Sequence, residues 1–296
     1  MGFVFRAGER IDSALRRVVR EQARGAIRDL TDPPGGDRHE GVHEARKRFK
    51  MIRSVLRLSR STLGEATHAV ENAWYRDHGR ALSSVRDAVA MLECLEALRR
   101  RFSREMAPAL GDGVRRGLEE RLRGASEDDS GLAERCAAVA EALRGAVLRV
   151  KEWPLEDRGF GSIGPGLERV YRQGRALMGR ALEEPTDARL HEWRKRVKDH
   201  WYHVRLLRNL WPRVLDAYRL EMKALSEALG DDHDLSLLGP IVRDEPDAFG
   251  GRDAADDFLE FVAIRRRELQ DRARLLGRHV YAEKPRHLVG RFRSRW

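Results

Sequence analysis

Apolar residues recur at intervals of three and four positions along most of the chain, as at residues 15–30 and 167–182. Alanine, leucine, arginine and glutamate dominate such stretches, β-branched residues are sparse, and strict alternation of apolar and polar residues is missing. A period of about 3.6 residues is typical of amphipathic helices, whereas alternation is typical of strands. The sequence therefore predicts an all-α protein.

Three segments of the first half recur, in the same order, in the second half. Residues 15–30 align with 167–182, residues 43–57 with 191–205, and residues 82–92 with 229–239. Such self-similarity indicates two diverged copies of one unit, and each half has room for about four helices, the number that closes an antiparallel bundle. The expected architecture is two antiparallel four-helix bundles.

A segment rich in glycine and proline, "EWPLEDRGFGSIGPG" at 152–166, interrupts the helical pattern near the midpoint. Glycine and proline mark loops and turns between helices. We therefore predict a first half at 1–151, a linker at 152–166 and a second half at 167–296.

The most distinctive repeat is the pair "HEARKRFKMIRSVLR" at 43–57 and "HEWRKRVKDHWYHVR" at 191–205. Successive residues of a helix are rotated by about 100°, so positions three, four and seven apart share a face. In the first copy the cationic face consists of His43, Arg46, Lys47, Lys50, Arg53 and Arg57, and the opposite face of Ala45, Phe49, Ile52 and Leu56. In the second copy it consists of His191, Arg194, Lys195, Lys198, Tyr202 and Arg205, opposite Trp193, Val197, Val204 and Trp211. Each helix is expected to pack its apolar face and to present its cationic one.

The charge of the chain indicates what these faces bind. The chain has 58 Lys and Arg against 48 Asp and Glu, a net charge of +10, and four of its seven lysines lie in the two repeated stretches. Solvated helix faces usually alternate acids with bases four residues apart, yet we expect no acid on these two faces. Like charges stacked along a helix repel one another, which favours a bound polyanion such as a phosphate chain.

Two further pairs of cations recur one helix earlier. Arg17 and Arg20 in the first half align with Arg169 and Arg172 in the second. Their repetition makes them candidate phosphate ligands, and a nearby polyanion is expected to favour the charged form of the two histidines.

Other signals do not indicate catalysis. The "DDHD" sequence at 231–234 suggests a metal site, but the matching first-half segment has arginine in place of histidine. Asp234 and its counterpart Asp87 are therefore expected to cap helices or to orient a basic neighbour. No phosphate-binding loop or nucleophile motif is present, and Cys94 and Cys136 lack metal-ligand spacing. We expect no enzyme activity, no metal and no cofactor.

The location follows from the absence of long apolar runs. No stretch approaches the roughly 18 apolar residues of a membrane span, and no secretory signal is visible. We expect a soluble, cytoplasmic protein that does not associate with membranes.

The repeated histidine stretches, together with "LGDDHDL" at 229–235, resemble the CHAD family, the conserved histidine α-helical domain. The resemblance extends over nearly the whole chain. It implies two four-helix bundles related by a pseudo-twofold, with the basic helices lining a central cleft or pore. It also implies binding of inorganic polyphosphate without catalysis, often at intracellular polyphosphate granules.

The resemblance carries over to the cationic residues of both repeats, and Tyr202 occupies the family's aromatic position. The second copy has Trp201 where the first has Arg53, so the two halves need not contribute equally. Some members carry a fused triphosphate tunnel domain, whose strands and acidic metal site are not visible here. The resemblance is compatible with a separate triphosphate tunnel enzyme that acts as a partner in trans.

Electrostatics alone does not separate one phosphate polymer from another. A nucleic-acid-binding protein that uses the same basic surface is therefore the alternative. The C-terminal sequence "RHLVGRFRSRW", which interleaves basic and aromatic residues, is compatible with it but is equally typical of a tail or a final packed helix.

Overall fold

A computed structural model describes residues 2–82, 86–127 and 131–296, except for the side chains of residues 86–89 and 125–127. The described residues form α-helices and short 3-10 turns and contain no strand, which confirms the all-α class. The α-helices are α1 (Ile11–Thr31), α2 (Arg38–Leu58), α3 (Arg60–Leu63), α4 (Glu65–Ala81), α5 (Arg86–Arg101), α6 (Pro108–Glu127), α7 (Leu132–Arg149), α8 (Gly164–Glu183), α9 (Asp187–Leu207), α10 (Pro212–Asp244), α11 (Arg252–Val280) and α12 (Pro285–Arg293).

The two repeated stretches lie on α2 and α9, and both helices begin at a side-chain cap. The Asp37 carboxylate accepts hydrogen bonds from the backbone amides of His39 and Glu40 at the start of α2. The Thr186 hydroxyl accepts one from the Arg189 amide at the start of α9. Such caps satisfy amides that have no partner within the helix, so they fix where each helix begins.

The predicted packing faces are largely confirmed. Ala45, Phe49, Ile52 and Leu56 of α2 are buried, as are Trp193, Val197 and Val204 of α9. Trp211 was expected on the same face of α9, and that prediction is wrong. The α-helix ends at Leu207, and Trp211 lies exposed just before α10, with the Arg295 guanidinium 4.6 Å from its ring centroid.

The helices of each half pack on one another. In the first half α1 contacts α2 and α7, and α2 contacts α4; in the second half α9 contacts α8 and α10, and α10 contacts α11. Direct contacts of α2 with α8 and α9 then join the two halves. The buried apolar side chains form one connected core.

The helices α5 and α6 pack against the second half as well as against each other. Phe102 and Phe261 place their ring centroids 5.1 Å apart, and the Arg101 side chain donates to Glu268 on α11 over 3.1 Å. Arg121 of α6 donates to Glu245, which follows α10, over 2.6 Å. Helices of the first half therefore also contact the second half. The division into two four-helix bundles stays a prediction.

The segment 152–166 forms 3-10 turns at Val150–Glu152 and Gly159–Ser162 around an extended stretch. It buries the side chains of Trp153, Leu155 and Phe160 in the common core, so these apolar residues are packed against the core that both halves share, while residues 156–158 stay exposed. The domain boundary placed there stays a prediction. Among the described residues, no helix is both long and apolar enough to cross a membrane.

Candidate functional site

The helices α2 and α9 meet at a small residue. The Ser54 hydroxyl of α2 donates to the backbone carbonyl of Asp199 over 3.3 Å, and the Nε2–H of His203 donates to the Ser54 carbonyl over 2.9 Å. Ser54 and His203 are fully buried. Because a serine side chain is short, the two backbones come close, and the cationic faces beside the contact become neighbours.

Lys50 and Lys198 are the central pair of these faces. They occupy equivalent positions in the sequence repeat. Burial, together with the charges of Arg194 and Lys50, lowers the pKa of Lys198 to about 7, and Asp234 opposes this shift. A lysine from each copy therefore contributes to one local excess of positive charge.

A group of arginines, which we call the central arginine cluster (Arg53, Arg57 and Arg196), lies where α2 meets α9. The Asp199 carboxylate binds two of them, accepting from Arg57 Nη1 at 3.2 Å and pairing with Arg196 Nη1 at 2.9 Å. Arg53 donates to the Asn72 side chain over 3.1 Å. Burial and the neighbouring arginines lower the pKa of Arg53 to about 10, although Asp199 opposes them. The Asp199 carboxylate thus contacts two of the three guanidinium groups, and it acts on Arg53 through its charge alone.

The expectation that no acid accompanies the cationic faces is wrong. Lys47 Nζ lies 2.9 Å from a Glu44 carboxylate oxygen, and Lys195 pairs in the same way with Glu192. In both copies the acid stands three residues before the lysine, a spacing that brings the side chains within reach on a helix. These two half-exposed lysines are partly neutralised, so most of the excess charge is at the more buried cations.

The histidines at the start of the faces are half-buried. The ring of His191 packs on that of His233, with centroids 4.2 Å apart. Burial, followed by the nearby His233 and Lys195, lowers the pKa of His191 to about 4. At neutral pH His191 is therefore uncharged in the protein alone. His43 is half-buried at the corresponding position of α2.

The two arginines one turn after the histidines are also half-buried. Arg46 makes no ion pair with any residue that the structure describes. The Arg194 Nε atom is buried and lacks a hydrogen-bond partner within the described part of the chain. Burial lowers the pKa of Arg194, while the carboxylates of Asp234 and Asp231 raise it. Both arginines are therefore suited to donate hydrogen bonds to a bound anion.

The "DDHD" residues lie inside α10, so a capping role for Asp234 is wrong. The charge of Asp234 opposes the burial that lowers the pKa of Arg194, and a role of Asp234 in orienting that basic neighbour stays a prediction. The carboxylate of Asp232 accepts from Arg266 Nε at 3.0 Å and from the Gln270 amide at 2.9 Å. The side chain of Asp87 lies outside the described residues. Among the described residues, no group of three or more His, Cys, Asp or Glu side chains is arranged to hold a metal ion.

The flanking arginines differ between the halves. Arg17 of α1 is held by acids, with Nε and Nη2 each 2.6 Å from a carboxylate oxygen of Glu9, and it also pairs with Glu21. Arg20 is half-buried, and its Nε has no partner among the described residues. On α8, Arg172 is exposed and lies 3.9 Å from Glu168, whereas Arg169 makes no ion pair within the described ranges. The acids around Arg17 argue against its binding phosphate.

Tyr202 and Arg205 lie where the N-terminal segment covers α9. Tyr202 is buried with its ring edge-on to Phe3, at 5.8 Å between centroids, and burial raises the pKa of its hydroxyl to about 12. The Arg205 guanidinium lies 5.6 Å from the same Phe3 ring. These contacts are packing contacts, and a direct role of either residue in anion binding stays a prediction.

The sequence reasoning missed Arg196 and Asp199. Arg196 aligns with Arg48, which pairs with the Asp29 carboxylate at 2.5 Å away from the central cluster, so the repeat gave no indication of its role. Asp199 aligns with the apolar Met51. The only available signal was the position of Asp199 at the edge of the cationic sector of α9.

The family model of the CHAD domain matches residues 9–243 of the chain. The match includes α2, α9 and the contact between them. No curated protein matches the chain.

Proposed function

Since this chain belongs to the CHAD domain family, we propose that it binds inorganic polyphosphate through the cationic faces of α2 and α9. The observation that supports this most is the pair Lys50 and Lys198, in which equivalent positions of the two repeats contribute charge to one place. We further propose that the two halves are related by an approximate twofold axis near this pair. The faces then line a single cleft.

The chemistry of the faces suits a phosphate polymer. Guanidinium groups donate forked hydrogen bonds to non-bridging oxygens, and ammonium groups act as compact charges. Burial has lowered the pKa values of Lys198, Arg194, Arg53 and Arg57, so these cations lack sufficient compensation in the protein alone. A polyanion supplies both the missing charge and the missing acceptors.

The binding proposed here is not catalytic. Its cellular consequence is retention of the protein at cytoplasmic polyphosphate granules, where a separate triphosphate tunnel enzyme is the partner we propose in trans. Nothing in the site favours bases over phosphates, and no observation supports the nucleic-acid alternative.

Salt dependence and competition test the proposal. Titration with long polyphosphate should show an affinity that rises with polymer length. A site that neutralises about six phosphates loses on the order of 10³-fold in affinity between about 50 and 200 mM salt. Single-stranded RNA at equal phosphate concentration should not displace the polymer. Equal displacement by RNA would favour a general nucleic-acid-binding protein instead.

The affinity should also depend on pH through Lys198. Its pKa is about 7 in the free protein, and a bound polyanion raises that value because it favours the charged form. Binding then takes up a proton above pH 7, so affinity should fall as pH rises, by up to about tenfold per unit, and level off below 7. Polyphosphate titrations between about pH 6 and 9 measure the slope of affinity against pH.

Two lysine variants separate the titration of Lys198 from that of other groups in the protein and the polymer. Lys198→Arg keeps its charge throughout the range and should flatten the profile, whereas Lys195→Arg changes a half-exposed lysine beside Glu192 and should leave it intact. Identical profiles for the native protein and Lys198→Arg would contradict the assignment.

A further inference from the structure

The N-terminal segment covers the end of α9. The Phe5 amide donates to the Leu206 carbonyl over 2.9 Å, and the Asn209 side chain donates to the Phe5 carbonyl over 2.9 Å. Glu9, from the same segment, neutralises Arg17. Apolar side chains and a carboxylate therefore close this end of the cationic surface.

The end of α2 meets α8 instead, and no hydrogen bond or ion pair joins it to the N-terminal segment among the described residues. Gly166, in the first turn of α8, lies against the last turn of α2, where an added Cβ would come within 2.0 Å of the Leu58 carbonyl oxygen. The glycine thus permits direct contact between the two helices. It also places Arg169, less than one turn further along α8, beside the end of α2.

His68 lies at this end, in the first turn of α4. It is 8% exposed, and neither of its ring nitrogens has a hydrogen-bond partner among the described residues. Burial lowers its pKa, and the positive charges of Arg60, Arg57 and Arg169 act in the same direction. A buried polar group without a partner is costly, and cations on several sides favour an anionic acceptor.

The acid nearest to His68 is already engaged. Glu65 accepts from Arg60 Nε at 2.6 Å, and this pair neutralises Arg60. Arg57 shares the Asp199 carboxylate with Arg196, and Arg169 has no ion pair within the described ranges. The excess positive charge around the imidazole therefore comes from Arg57 and Arg169.

We propose that polyphosphate leaves the cleft at this end only, and that His68, Arg57 and Arg169 form a further site for phosphate groups of the emerging polymer. The inference rests on the proposed function of the cleft. Lys50 and Arg57 are about 10 Å apart along α2. A short polyphosphate held at the centre does not extend to His68, whereas a long one does.

The experiment compares long polyphosphate with tripolyphosphate on single variants. His68→Gln and Arg169→Gln should each weaken binding of the long polymer by about tenfold, as expected for loss of one charge-assisted contact, and leave tripolyphosphate binding unchanged. The matched control is Arg208→Gln, an exposed arginine at the covered end of α9, which should bind both polymers like the native protein.

The outcomes separate this proposal from the one on which it rests. If native protein binds no polyphosphate, the function of the cleft is wrong. If native protein binds but Arg169→Gln behaves like Arg208→Gln, the one-ended path is overturned. Equal losses for both polymers in His68→Gln, with an unchanged thermal melt, would also overturn it, because they would assign His68 to the central site.

Discussion

Replacing Lys50 and Lys198 together by glutamate is expected to weaken polyphosphate binding by more than about 100-fold, because two cations at the centre of the site become anions. Burial and its cationic neighbours already lower the pKa of Lys198 to about 7. A glutamate at position 198 meets the Arg194 guanidinium, whose attraction offsets the repulsion from the glutamate at position 50, so the change is compatible with the fold. Fluorescence anisotropy with labelled polyphosphate measures the loss.

The matched control is the double variant Arg213→Glu and Arg252→Glu. It makes the same change in net charge at two exposed arginines in the first turns of α10 and α11. Acidic residues are favoured in that position of a helix, so the fold should not suffer. The control should bind within a few-fold of the native protein. An equal loss in both double variants would show that net charge, rather than the α2–α9 surface, determines affinity.

The second large effect concerns stability. Asp199→Asn is expected to lower the free energy of unfolding by about 3–5 kcal/mol, because it leaves buried arginines without their shared carboxylate. Asp199 is 7% exposed and pairs with Arg57 and Arg196 at 3.2 and 2.9 Å. Urea unfolding followed by circular dichroism measures the loss.

Asp216→Asn is the control for this experiment. Its carboxylate pairs with Arg219 at 3.3 Å on the half-exposed surface of α10, where ion pairs contribute at most about 1 kcal/mol. Polyphosphate should raise the unfolding midpoint of Asp199→Asn more than that of the native protein, since the polyanion replaces the missing charge. A loss no larger than that of Asp216→Asn would show that the central arginine cluster does not depend on Asp199.

The cationic and apolar faces of α2 and α9 were predictable because they depend on local geometry. The spacing of Phe49, Ile52 and Leu56 fixes which side of α2 packs, and the cations follow on the other side. The prediction was wrong at Trp211, since α9 ends four residues before it. A helical projection does not indicate where a helix stops.

Contacts between distant segments were not predictable in this way. Glu9 neutralises Arg17 because the N-terminal segment folds back over α1, and Asp199 joins Arg57 to Arg196 only where α2 and α9 meet. The sequence repeat also concealed the difference between the two halves. Its aligned positions Arg17 and Arg169 have opposite surroundings, one enclosed by acids and the other beside His68.

The central claim is that the two repeated faces form one polyphosphate site. Calorimetric titration of the native chain with long polyphosphate at low ionic strength tests it most directly. The account predicts a single binding event, weakened by Lys50→Glu and by Lys198→Glu alike. No binding, or two independent events of which each variant removes only one, would contradict it.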